Sequence, residues 1–175
     1  MVSYSLRKGL ENLSEPYKTL VHKLVEALRE VFGENLVSII IYGSVARDEA
    51  RRDSDLDLLI IARNLPRSRG SRVRLFEKAE EQISSFLDEL FDQGYYVSLS
   101  PIILTPEEAR KIPPIMLDMV IDSIIVYDKQ GFIENLLKYL AEKLEELGAE
   151  RINIGKKWYW RLKKNYRLGE EIVIE

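Results

Sequence analysis

The chain has 175 residues, 46% hydrophobic and 31% charged, with a formal net charge of −3; this suits one globular domain with a sizeable core, excludes a disordered chain, and does not suggest general affinity for nucleic acid. Cysteine is absent and His22 is the single histidine, so disulfides, thiol nucleophiles and Cys/His zinc sites are excluded; any metal chemistry must come from carboxylates, which select hard cations such as Mg2+ or Mn2+. No apolar run could span a bilayer and the first residues, MVSYSLRKGLENLSE, hold no signal-peptide core, so a cytoplasmic protein with no membrane partner is expected, and the high charge leans towards a thermophilic source.

In chain order, Leu20, Val21, Leu24, Leu28, Val31 and Phe32 recur at helical spacing between the start signal Ser14-Glu15-Pro16 and Gly33, which predicts a helix with His22 on its polar side. Residues 36–42 (LVSIIIY) read as a buried strand ended by Gly43, and Ser44 as the N-cap of a short helix, VARDEARR. Residues 56–62 read as a second strand and residues 64–71, rich in Pro, Gly, Ser and Arg, as a loop. Val73, Phe76, Ala79, Ile83, Phe86, Leu87 and Leu90 predict one long helix stopping at Gly94, and residues 95–104 a third strand. Thr105-Pro-Glu-Glu predicts a capped helix, Pro113-Pro114 the start of the next, and residues 124–127 a short strand. Ile133, Leu136, Leu137, Leu140, Leu144 and Leu147 define a last long helix ending at Gly148. Strands alternating with helices imply an α/β (α+β) fold, a small mixed sheet flanked by helices with a C-terminal helix and a basic aromatic tail.

Asp55 and Asp57 open the second strand. Side chains two apart in a strand share a face, so the pair projects together while Leu56 and Leu58 face the other way. Two carboxylates this close raise each other's proton affinity unless a cation lies between them. A solvated strand entry is the plainer reading of a lone Asp-x-Asp. An EF-hand loop is excluded, because Leu58 and Asn64 stand where it needs glycine and glutamate. A phosphatase-type pair is disfavoured, since it would follow its strand.

Gly43 after a buried strand lets a ligand approach the backbone, and the helix that follows offers free N–H groups and its dipole to a phosphate. Ser44 adds a hydroxyl and Arg47 a cation on the same first turn. A phosphate cradle on one strand end and a carboxylate pair on the next imply a nucleoside triphosphate with Mg2+. With Ser54-Asp55-Leu56-Asp57-Leu58-Leu59-Ile60, this Gly43-Ser44 turn resembles the signature of the DNA polymerase beta nucleotidyltransferase superfamily, most closely its minimal nucleotidyltransferases. The resemblance covers residues 20–128 in order of elements. It implies that Gly43 and Ser44 hold the triphosphate, which Arg47 on the same turn can reach, that Asp55 and Asp57 are catalytic metal ligands, and that a nucleoside monophosphate passes to a hydroxyl with release of pyrophosphate. It also implies a separate helical partner protein.

The family's third carboxylate falls at Ser98, or at Ser100 if the register shifts by two. Neither is acidic, and Asp92 precedes the strand. Arg63, Arg67, Arg69, Arg72 and Arg74 should emerge at the far end of the sheet, since six strand residues span roughly 20 Å. A solvated loop is expected there, leaving Arg47, Arg51 and Arg52 as the site's cations. Residues 151–168 carry seven Lys/Arg and no acid, with Trp158, Tyr159, Trp160 and Tyr166 interleaved. Docking on the core or a subunit interface is favoured for this tail over nucleic acid. Expectation therefore divides the chain into a nucleotidyltransferase-like domain over residues 1–128, and a C-terminal helix and tail over residues 129–175 packed on it. The function expected is Mg2+-dependent transfer of AMP from ATP to a protein or small-molecule hydroxyl. The alternatives are a nucleotide-binding, catalytically weak regulatory or antitoxin-like protein and, third, an RNA-binding module. A homo-oligomer stays open.

Overall fold

Strands that are apolar on both faces need a layer of helices on each side, and the central pair here is of that kind. β2 (Leu36–Tyr42) and β3 (Leu56–Ala62) are buried almost throughout. The computed structural model describes residues 4, 6–155, 157–167, 170–172 and 174. Lys156 and Leu168 of the basic tail lie outside the described residues, as do Met1, Val2, Ser3, Ser5, Gly169, Val173 and Glu175.

With β1 (Arg7–Lys8), β4 (Leu99–Leu104) and β5 (Ile124–Asp128), these strands form a five-stranded sheet of order β1-β5-β2-β3-β4. The sheet is mixed: β1 and β5 pair parallel, β5 with β2 and β2 with β3 antiparallel, and β3 with β4 parallel. One face packs on α1 (Tyr17–Phe32) and α3 (Arg69–Gln82), joining Ile39, Ile41, Leu56, Leu58 and Ile60 with Leu20, Leu24, Leu28 and Phe76. The other packs on α6 (Ile115–Met119) and α7 (Phe132–Glu146), joining Val37, Ile40, Leu59 and Ile61 with Met116, Met119, Leu137 and Leu140. The expected helical stripes are thus the buried faces of α1 and α7, and His22 is exposed.

Asp128 joins strand to helix. Its carboxylate accepts the hydroxyl of buried Ser38 at 2.8 Å and the N–H groups of Ile133 at 3.0 Å and Glu134 at 3.1 Å, capping α7. Thr105 and Glu108 form the expected reciprocal capping box on α5 (Pro106–Arg110).

Four expectations about elements change. The long helix over residues 73–90 is two helices, α3 and α4 (Ser84–Asp92), broken at Ile83, whose ψ of 7° leaves the helical region. The short helix after Gly43 is one turn, α2 (Gly43–Ala46), ended by Asp48 at φ 58°; Tyr42 stands at its N-cap position and Ser44 lies inside it. The third strand begins at Leu99 rather than Tyr95, because Leu99 already pairs with Leu56, the first residue of β3, and Tyr96 N–H turns to the Arg52 carbonyl at 2.6 Å. The expected loop over residues 64–71 ends at Ser68, and Arg69, Arg72 and Arg74 lie on α3. Arg72 on α3 donates to the Ile103 carbonyl at 3.0 Å and grips Glu108 with both Nη groups. With Pro101, which lacks a donor, it blunts the open edge of β4.

The tail forms a two-stranded antiparallel hairpin, β6 (Glu150–Ile154) and β7 (Lys157–Arg161). Trp158 and Trp160 lie on its inner face and Tyr159 on the outer one, since alternate residues of a strand share a face.

Candidate functional site

Leu56, Leu58 and Ile60 face α1, so Asp57 shares the opposite face with Leu59 and Ile61. Helices α6 and α7 cover that face only over its apolar part. The end bearing Asp55 and Asp57 stays open, with Asp55 exposed and Asp57 half-buried. A cavity of 370 Å³ opens here, lined by Gly43, Ser44, Arg47, Asp55 and Asp57 together with Tyr42 and Ser54. The five residues singled out from sequence therefore meet in one place.

Gly43 has φ +73°, and a Cβ there would overlap Asp57 Oδ2 and lie 3.2 Å from its Cγ. The approach the missing Cβ allows is that of Asp57's own carboxylate, which is how the turn and the strand start are held together. β2 and β3 set this register, with Tyr42 opposite Asp57. The loop between them is tied down by Tyr17 Oη donating to the Arg51 carbonyl and Ser14 to Asp48, both at 2.8 Å.

Burial raises the Asp57 carboxyl above the ordinary aspartate range and the Asp55 charge raises it further; Arg47 and a hydrogen bond from Ser100 pull the other way. Burial, with Asp57 nearby, pushes the Tyr42 phenol up to about 12. Such a pair is a donor set for one hard divalent cation, whose charge would relieve the repulsion. Ser100, not Ser98, stands opposite Asp57 across β3 and β4. Among the described residues no cluster of three or more His, Cys, Asp or Glu side chains is arranged to hold a metal. Asp55 and Asp57 are the residues that would hold such a cation, with room for its other ligands to come from a bound phosphate and water.

Of the expected cations, Arg47 lines the cavity, whereas Arg51 and Arg52 line a neighbouring one of 230 Å³ beside Tyr17 and Tyr95. Arg67 and Arg69 line a third cavity, along β4. Sequence reasoning missed the fourth wall of the site: Asp118 of α6, Asp122 just beyond it, and Trp158 of β7. The aromatic residues of the tail hinted that it docks, but nothing in a linear sequence pairs residue 158 with residue 118.

The nucleotidyltransferase domain family matches residues 21–155, and this chain belongs to that family. Among curated proteins it is similar to "Putative protein adenylyltransferase MJ1305" of Methanocaldococcus jannaschii, with 28% identity over 141 residues, 79% of this chain and 90% of that protein. Solved structures similar to it include a toxin–antitoxin complex with AMP-PNP (17% identity, TM-score 0.45, 73% of this chain and 91% of that one). Another is a tri-AMPylated Shewanella oneidensis HEPN toxin in complex with its MNT antitoxin (18% identity, TM-score 0.43, 72% and 84%).

Proposed function

We propose that this nucleotidyltransferase moves AMP from ATP to a hydroxyl group on a protein, with Asp55 and Asp57 holding Mg2+. The observation that carries the reading is the Gly43–Asp57 contact, which sets a phosphate turn and a carboxylate pair in one open cavity. The name of the Methanocaldococcus relative favours adenylyl transfer to protein.

On this reading the N–H groups of the α2 turn and the Ser44 hydroxyl donate to the triphosphate. Arg47 adds a charge-assisted hydrogen bond, which fixes the chain of phosphates against the sheet. Bound Mg2+ would polarise the phosphates and offset their charge. The acceptor oxygen bonds to the α-phosphorus as the bond from that phosphorus to the β-phosphate's bridging oxygen breaks, and pyrophosphate leaves. The hydroxyl proton passes to solvent, because the exposed Ser98 and Ser100 are poor bases at neutral pH.

Ser100 in place of an acid opposite Asp57 favours a second reading, a nucleotide-binding regulator with slow turnover that works beside a separate helical protein. Both readings require nucleotide binding and differ in rate. Incubation with α-labelled ATP and Mg2+ in a lysate separates them: a labelled protein band that disappears with Asp55→Asn supports transfer. Tight ATP binding with no labelled acceptor supports the regulator.

A further inference from the structure

The inner face of the β6–β7 hairpin closes the cavity through a chain of contacts. Trp158 Nε1 and Trp160 Nε1 both donate to Asp118 Oδ1, at 2.9 and 2.8 Å. Arg151, opposite Trp160 on the hairpin, pairs with Asp122, one helical turn after Asp118. The Arg47 guanidinium lies 5.0 Å from the centre of the Trp158 ring, and that of Arg151 5.1 Å. Arg47 is also held from its own loop, where Nε donates to Glu49 at 2.8 Å. Its side chain is only 22% exposed.

A free arginine loses rotamer freedom when it grips a phosphate, and a guanidinium already fixed at one edge and one face loses less. Glu49 takes the Nε edge and Trp158 takes a face. The Nη groups are the donors left for the cavity. Asp118 is the latch: one carboxylate oxygen holds both indoles, and with them the hairpin, against α6.

We propose that Trp158 is a positioning residue for triphosphate binding. It acts through Arg47, and the Asp118 latch makes the C-terminal hairpin a working wall of the nucleotide site. This rests on the reading that Arg47 binds the triphosphate.

Both tryptophans of the chain, Trp158 and Trp160, are on β7, so tryptophan emission, excited where tyrosine does not absorb, reports the hairpin alone. The test titrates the full-length protein with ATP and Mg2+, by calorimetry and by fluorescence, in wild type, Arg47→Ala, Trp158→Ala, Trp158→Phe, Asp118→Ala and the Arg47→Ala/Trp158→Ala double variant. Adenosine is the control ligand without phosphates. Trp158→Ala should weaken ATP binding about tenfold, the scale of a partly desolvated cation–π contact. Asp118→Ala should do the same, and Trp158→Phe, which keeps an aromatic face, should recover most of the loss. The double variant should bind no more weakly than Arg47→Ala, because the two residues act in series. ATP should change tryptophan emission and adenosine should not. Additive losses in the double variant overturn the proposal, as does unchanged affinity in Trp158→Ala with Arg47→Ala impaired; the functional reading survives both. If the wild type binds no ATP with Mg2+, that reading falls and this proposal falls with it.

Discussion

At the scale of single residues, Asp57 carries the site's cost. It is half-buried, lies beside a second carboxylate, and leaves room for no side chain at Gly43. Its proton affinity in the folded state exceeds that of the unfolded chain. The corresponding stabilisation is therefore complete below the ordinary aspartate range and is lost as pH rises through Asp57's own, higher pKa. A divalent cation between Asp55 and Asp57 would relieve the repulsion that Arg47 and Ser100 offset only in part. Asp57→Asn should accordingly raise the melting temperature of the metal-free protein at neutral pH, measured in chelator, and should raise it less at acid pH, where the wild-type carboxyl is protonated. Added Mg2+ should stabilise the wild type and not the variant. A variant that melts below the metal-free wild type at neutral pH would contradict this.

Register and capping govern the scale of elements. The carboxylate face of β3 was legible in the sequence because strand alternation is strict, and the helical stripes of α1 and α7 because they are long and strongly periodic. The start of β4 was not, since Tyr95 to Ser98 have strand-like composition but lie before the first residue of β3 that a partner could match. The two-residue ambiguity between Ser98 and Ser100 follows directly from that missing boundary. The break between α3 and α4 was hidden for the opposite reason, because the apolar stripe continues through Ile83 and periodicity alone cannot register a local change in ψ. The register leads to a test. Ser100→Asp places an acid opposite Asp57 on the same face and should tighten Mn2+ binding, followed by paramagnetic resonance or calorimetry. Ser98→Asp, two residues earlier and outside β4, should change it little. Equal effects of the two would mean that strand register does not decide where the third ligand belongs.

At the scale of the whole molecule, the site lies where β2, β3 and β4 meet the open end of the α6 layer, with the hairpin folded back across it. The Gly43, Ser44, Arg47, Asp55 and Asp57 wall was legible because a short motif encodes it within two adjacent strands. Asp118, Asp122 and Trp158 were not, because they reach the site through tertiary packing between segments some forty residues apart, Trp158 to Asp118. Arg72 illustrates the same limit: in sequence it belongs to a run of arginines, whereas in the fold it is a partner for Glu108. On the proposed reading of the site, Asp55 and Asp57 make ATP binding dependent on a divalent cation. Calorimetric titration of ATP into wild type and into the Asp55→Asn/Asp57→Asn double variant, each with Mg2+ and with chelator, measures that dependence. Mg2+ should strengthen binding to the wild type and leave the double variant unchanged; a double variant that keeps the full Mg2+-dependent gain would place the cation elsewhere and contradict that reading.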